Sequence, residues 1–134
     1  MKAAKVTIHF CKSPHPATIL ANKTPIGRLL YEAAETVGAA NAATTHAVVA
    51  YQNRRIVGVL KYFLFDDTLV PSGTIVDPRC RRRGIARKLW KAVIKKHSPK
   101  IIDVSVSSVA GMKLVKQLKT SYPSIVFVVH DYVS

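Results

Sequence analysis

The sequence holds only two cysteines, Cys11 and Cys80. Their separation fits no zinc-ligand spacing, and one pair cannot make the framework that staples small secreted domains, so both are read as free thiols. None of the five histidines, His9, His15, His46, His97 and His130, stands in an HExxH or another close ligand pair, which removes the commoner metal sites. No apolar run reaches the roughly 18 residues of a membrane-spanning helix. The opening stretch MKAAKVTIHFCKSPHP has no apolar core ahead of a small-residue cleavage site. The expectation is a cytoplasmic chain with no membrane partner. Acidic residues are scarce: seven stand against 21 lysines and arginines, a formal charge of +14. Such a field draws in polyanions, whether nucleic acid, an acidic protein or a phosphorylated cofactor.

What is present fits one core. At 134 residues and 49% hydrophobic, the chain is read as a single domain over 1–134. KVTIHF (Lys5 to Phe10) alternates apolar and polar residues as a strand does. Thr24 and Pro25 open a helix whose apolar positions recur at helical spacing from Ile26 to Val37, before Gly38. THAVVAYQ and RIVGVLKYFLF form an antiparallel hairpin turned at Asn53. Asp66 and Asp67 turn the chain into TLVPSGTIVDP, where Pro71 and Gly73 call for an edge or a bulge. Ile85, Ala86, Leu89, Trp90, Val93, Ile94 and His97 trace one face of a helix, with Trp90 in the core. The strand IIDVSV, a helix from about Ser108 to Leu118 and the strand SIVFVVHDYV complete the order β-α-β-β-β-α-β-α-β.

Nearly half of the positive charge falls between Arg79 and Lys100, a stretch without one acid. Its focus is VDPRCRRRGIARK, a strand running into a glycine-bearing turn and then a helix. A helix start offers unpaired N–H donors and a partial positive charge, and glycine lets an anion approach the backbone. By charge alone, a solvated basic face or a nucleic-acid surface explains the run equally well.

The pattern Val76-Asp77-Pro78, then Arg81-Arg82-Arg83-Gly84-Ile85-Ala86 and Leu89, resembles the acetyl-CoA signature of the GCN5-related N-acetyltransferase (GNAT) family, whose core reads Gln/Arg-x-x-Gly-x-Gly/Ala after a strand ending in valine. The element order is similar to that family's over nearly the whole chain. The resemblance implies an α+β fold, a mixed and mostly antiparallel sheet flanked by helices, with acetyl-CoA as the cofactor. It implies that the backbone at Ile75 and Val76 pairs with the pantetheine arm. Arg81, Arg82, Arg83, Gly84, Ile85 and Ala86 would wrap the pyrophosphate, with Arg87 and Lys88 close by, and the Pro71 and Gly73 interruption becomes the bulge that opens the cofactor cleft. The implied reaction is transfer of an acetyl group to a primary amine by direct attack.

The chain also departs from the pattern. Many members have an asparagine after the fifth strand and a tyrosine on the next helix that protonates the leaving thiolate; here those positions fall on Ser108 and Val115. Tyr122 is the tyrosine left to act as acid. His46 or His130 could serve as a base, and Cys80 has no histidine–aspartate arrangement to make it a nucleophile. Three function classes follow: an N-acetyltransferase, an acetyl-CoA-binding protein without turnover, and a basic nucleic-acid-binding module. The acceptor is an amine of unstated class: a protein, a small amine or an aminoacyl-tRNA. One CoA carries roughly four negative charges, too few to occupy the whole basic segment, so Lys91, Lys95 and Lys96 are expected to meet a polyanionic partner.

Overall fold

The computed structural model describes residues 5–12 and 45–133, without the side chains of Cys11, Lys12 and Thr45. The expected first helix and residues 13–24 before it lie outside the described residues. Six strands form one sheet in chain order: β1 (Thr7–Lys12), β2 (Thr45–Gln52), β3 (Arg55–Phe65), β4 (Thr68–Val76), β5 (Ile101–Val106) and β6 (Val126–Asp131). The first four pair antiparallel; β4, β5 and β6 pair parallel. A parallel pair needs a crossover. Here α1 (Ile85–His97) joins β4 to β5, and α2 (Val109–Ser121) joins β5 to β6.

The hairpin expected at Asn53 is present. Asn53 and Arg54 both have positive φ, 53° and 62°, the geometry that a two-residue turn needs if it is to match strand twist. Asp66 turns the chain at φ 54°, and the Asp67 carbonyl accepts from the amides of Lys100 and Ile101. That contact ties the start of β5 to the β3–β4 turn.

Alternation fixes the faces. Gly58, Leu60 and Tyr62 of β3 look toward α1. A Cβ on Gly58 would stand 2.8 Å from Ile85 Cγ2 and 3.2 Å from Leu89 Cδ1, so the helix is seated against bare backbone at that point. Leu60, Leu69, Leu89, Trp90, Val93, Ile102, Val104, Val115 and Leu118 join one cluster on this face. Burying each aliphatic side chain is worth about 1.5–3 kcal/mol. Val59 and Lys61 point to the other face and are buried there as well, Lys61 with 4% exposure.

The β4 irregularity expected at Pro71 and Gly73 is a bulge. Tyr62 pairs with Pro71 and Lys61 with Gly73, which leaves Ser72 as the extra residue.

Candidate active site

β4 and β5 are joined at only two levels, Thr68 to Ile101 and Leu69 to Ile102. Beyond them the strands part. Among the described residues, the rest of β4, to Val76, pairs only with β3, and the rest of β5, to Val106, only with β6. Two unpaired backbone edges therefore face each other across a gap, with Ile75 and Val76 on one lip and Asp103 to Val106 on the other. The bulge at Ser72 lies where the parting begins, as a bulge that twists a strand would place it.

The open end of the gap meets the basic loop. Asp77 caps a short 3-10 turn, Pro78–Cys80, that the sequence did not signal; its carboxylate accepts from Arg79 N at 2.9 Å. The Arg79 guanidinium also donates to it at 3.2 Å, and these bonds hold the Asp77 carboxyl below its usual range. Arg79 is thus committed to Asp77. Arg81, Arg82 and Arg83 are exposed and have no acidic partner among the described residues. Arg82 and Gly84 have φ of 65° and 72°, which folds the backbone back on itself before Ile85 starts α1.

Gly84 is the helix cap and contributes no side-chain bond. The first intrahelical bond runs from Lys88 N to Gly84 O. The amides of Ile85, Ala86 and Arg87 therefore lack intrahelical acceptors. A Cβ built on Gly84 would meet nothing within 4 Å among the described residues. Open backbone with three amides that lack intrahelical acceptors, in a loop that also carries three exposed arginines, has the chemistry to take a pyrophosphate. Ile85 itself is buried at 2% exposure and anchors the loop to the core.

Across the mouth, Ser108 follows β5 and caps α2. Its Oγ accepts from Gly111 N at 3.0 Å. Val115 is 3% exposed and belongs to the core, so no proton donor stands at that position. The structure sets Tyr122 apart from the other candidates. It caps the C-terminus of α2 and lines a groove of about 870 Å³ with Lys91, Lys95, Pro99 and Lys100, beside the start of β5. That is the closed end of the gap. The groove runs along the second half of α1, from Lys91 to Ser98, whereas Gly84 caps the helix at its start.

The three lysines expected to act together are divided. Lys91 and Lys95, one turn apart, border the Tyr122 groove, whereas Lys96 is rotated onward and holds its Nζ 4.0 Å over the Phe10 ring. There it joins a ring cluster. Tyr62 Oη lies 2.7 Å from His97 Nε2, and His46 stacks on Tyr62 with centroids 5.2 Å apart. Burial, then the Lys96 charge, lowers the His46 pKa; burial, then His46 and Lys96, lowers that of His97. Folded-state pKa values below the unfolded value of about 6.5 mean that the unfolded chain binds more protons. The stability these rings contribute is complete above that pH and is lost as pH falls toward the folded-state values. Urea midpoints should accordingly drop on acidification through this window, and His97→Gln should flatten the drop; an unchanged slope in the variant would separate the cluster from the effect.

Nothing local in the sequence pairs Asp103 with His130. Asp103 Oδ1 lies 2.9 Å from His130 Nε2, on the β5 side of the gap. The only signal for the contact is that both positions face away from the apolar side of adjacent parallel strands.

No curated protein matches the sequence. Solved structures do match in fold. A ribosomal-protein-alanine N-acetyltransferase from Brucella melitensis biovar Abortus 2308 superposes with a TM-score of 0.62 at 17% identity, covering 85% of this chain and 90% of its own. An aminoglycoside acetyltransferase from an uncultured soil metagenomic sample, in complex with sisomicin, gives 0.62 at 19%, covering 96% and 95%. A CoA complex of an aminoglycoside N-acetyltransferase gives 0.56 at 13%, covering 90% and 88%. The family model of the acetyltransferase (GNAT) domain matches residues 21–115, more than half of the chain. Sheet order, parted strands and loop chemistry agree with that match: the chain belongs to the GNAT acetyltransferase family.

Proposed function

We propose that the protein moves an acetyl group from acetyl-CoA to a primary amine by direct attack, with both substrates bound at once. The observation that carries this reading is the parting of β4 and β5 beside the amide-lined start of α1. Acetyl-CoA supplies an activated acetyl thioester. Ile75 and Val76 would hold its pantetheine arm through the unpaired edge of β4. Arg81, Arg82, Arg83, Gly84, Ile85 and Ala86 would hold the pyrophosphate, Arg87 would add positive charge, and Ser108 would border the mouth.

The attacking nitrogen forms the C–N bond as the C–S bond breaks; sulfur leaves with the electron pair, and the proton that the nitrogen sheds passes to the departing thiolate or to solvent. An N–H on the unpaired β4 edge is the group available to meet charge developing on the carbonyl oxygen, and holding both reactants together supplies much of the rate. Thiols titrate near pH 8.5, so the sulfur can depart as thiolate with little help. The buried Val115 is compatible with turnover for this reason. The acceptor is an amine of a protein, a small molecule or an aminoacyl-tRNA; the ribosomal-protein-alanine and aminoglycoside enzymes of the same fold support amine chemistry.

Calorimetric titration with acetyl-CoA should show a single site, and mass spectrometry of peptide, small-amine and aminoacyl-tRNA acceptors should show a product one acetyl group heavier. Binding without any acetylated product would replace this reading with that of an acetyl-CoA-binding protein that does not turn over.

A further inference from the structure

The far side of the gap, away from α1 and α2, carries a row of polar groups at one level. Counting along β4 and β5 from the Leu69–Ile102 pair, and allowing for the bulged Ser72, brings Gly73 level with Ser105. Gly73 pairs with Lys61 on β3, and Ser105 with His130 on β6. The row runs Lys61, Gly73, gap, Ser105, His130. Its orientation follows from burial: Ile102, Val104 and Val106 are buried on the helix face, so Asp103 and Ser105 turn to the other, as the Asp103–His130 bond requires. Phe127 and Val129 pack into the helix-side cluster, which sends His130 the opposite way.

Nothing among the described residues lies within 4 Å of a Cβ built on Gly73, so the lip facing His130 is open at this level. A carboxylate oxygen only accepts, so the 2.9 Å bond calls for a hydrogen on His130 Nε2, and in the neutral ring that leaves the lone pair on Nδ1. Asp103 also restricts rotation of the ring. Among the described residues, Lys61 on β3 is the ionisable group across the gap; Asp131, level with the buried Val106, turns to the helix side, Tyr132 follows the strand, and no strand lies beyond β6. The strand β4, from Thr68 to Val76, contains no acid, so the lip it forms offers no carboxylate base.

We infer that His130, oriented by Asp103, takes the proton from the acceptor ammonium on the far face of the β4–β5 gap. This rests on the acetyltransfer reading above. In the step, the N–H bond of the ammonium breaks, its electron pair stays on the acceptor nitrogen, and the proton passes to His130 Nδ1. The freed amine then attacks the thioester, and the imidazolium returns its proton to solvent. His130 is a catalytic residue in this scheme and Asp103 a positioning residue.

The test uses the full chain with acetyl-CoA and three amine probes: a peptide with a free N-terminal alanine, polylysine and sisomicin. CoA release is followed by chromatography across pH. With the probe that reacts fastest, His130→Gln should lower kcat/KM near neutral pH by about 100-fold, the scale of one general base. Asp103→Asn should lower it by about tenfold, less than loss of the base itself. Both deficits should shrink as pH approaches the amine's own pKa, near 10.4 for a lysine-type amine, while calorimetric acetyl-CoA affinity stays at the parent value. A deficit that is uniform across pH would assign His130 a structural role and overturn the inference, as would a His130→Gln profile equal to the parent's. If the parent itself binds no acetyl-CoA and releases no CoA, the acetyltransfer reading falls and takes this inference with it.

Discussion

Replacing Gly84 by valine is expected to weaken acetyl-CoA binding by at least about 100-fold, equivalent to roughly 2.7 kcal/mol. Two effects act in the same direction. Gly84 has φ 72°, a left-handed conformation that costs a β-branched residue about 1–3 kcal/mol, so the loop would relax and its amides would turn away from a common point. The added side chain would also stand in the open space beside the loop amides, where the described residues leave nothing within 4 Å of the Cβ. The core has no direct contact to lose. The variant should therefore fold, with a stability loss no larger than the backbone strain, as urea unfolding would show. Gly84→Asn separates the two effects, because asparagine tolerates the left-handed region; it should bind between valine and the parent. Parent-like affinity in a folded Gly84→Val variant would remove the loop from cofactor binding.

The second large effect runs the other way. Lys61→Met should stabilise the protein by about 1–3 kcal/mol, the usual cost of leaving a buried polar group without a partner. Lys61 is 4% exposed, and its Nζ has no hydrogen-bond partner among the described residues. Methionine keeps the length of the stem and discards the amine. Burial lowers the Lys61 pKa, so between its folded-state value and the unfolded value near 10.4 the unfolded chain binds more protons. The lysine's contribution is therefore complete above the unfolded value and is lost as pH falls toward the folded one. Parent stability should rise with pH across this interval, and the variant should lose that rise. An unchanged urea midpoint in Lys61→Met would mean that the ammonium is solvated in solution.

Most of the fold could be read from local patterns. The Asn53 turn, the helix face running from Ile85 to His97 and the Pro71–Gly73 interruption are each decided by residues within a few positions of one another, and each stands where its chemistry puts it. The loop Arg81–Gly84 was legible for the same reason. The parting of β4 and β5 was not, because the number of levels at which two parallel strands pair depends on twist and on the crossover helix. Nor was the position of Tyr122. Its place is set by where α2 ends and by how that end packs beside the second half of α1. Lys96 shows how narrow the margin can be: one step along a helix turned it from the Tyr122 groove to the Phe10 ring. Asp103 and His130 are 27 residues apart, and only the register of β5 against β6 brings them together.

The two-level junction between β4 and β5 has a mechanical meaning. A sheet normally coheres through every rung of its ladder, yet here a four-stranded sheet and a two-stranded ribbon share only the rungs at one end. Above them, cohesion depends on the packing of α1 and α2 across the seam. A molecule lodged in the seam would substitute for the missing rungs, and its binding would add to the stability of the folded state by mass action. Occupancy of the cleft would then hold the two blades together, with a gain that grows as ligand concentration exceeds its Kd.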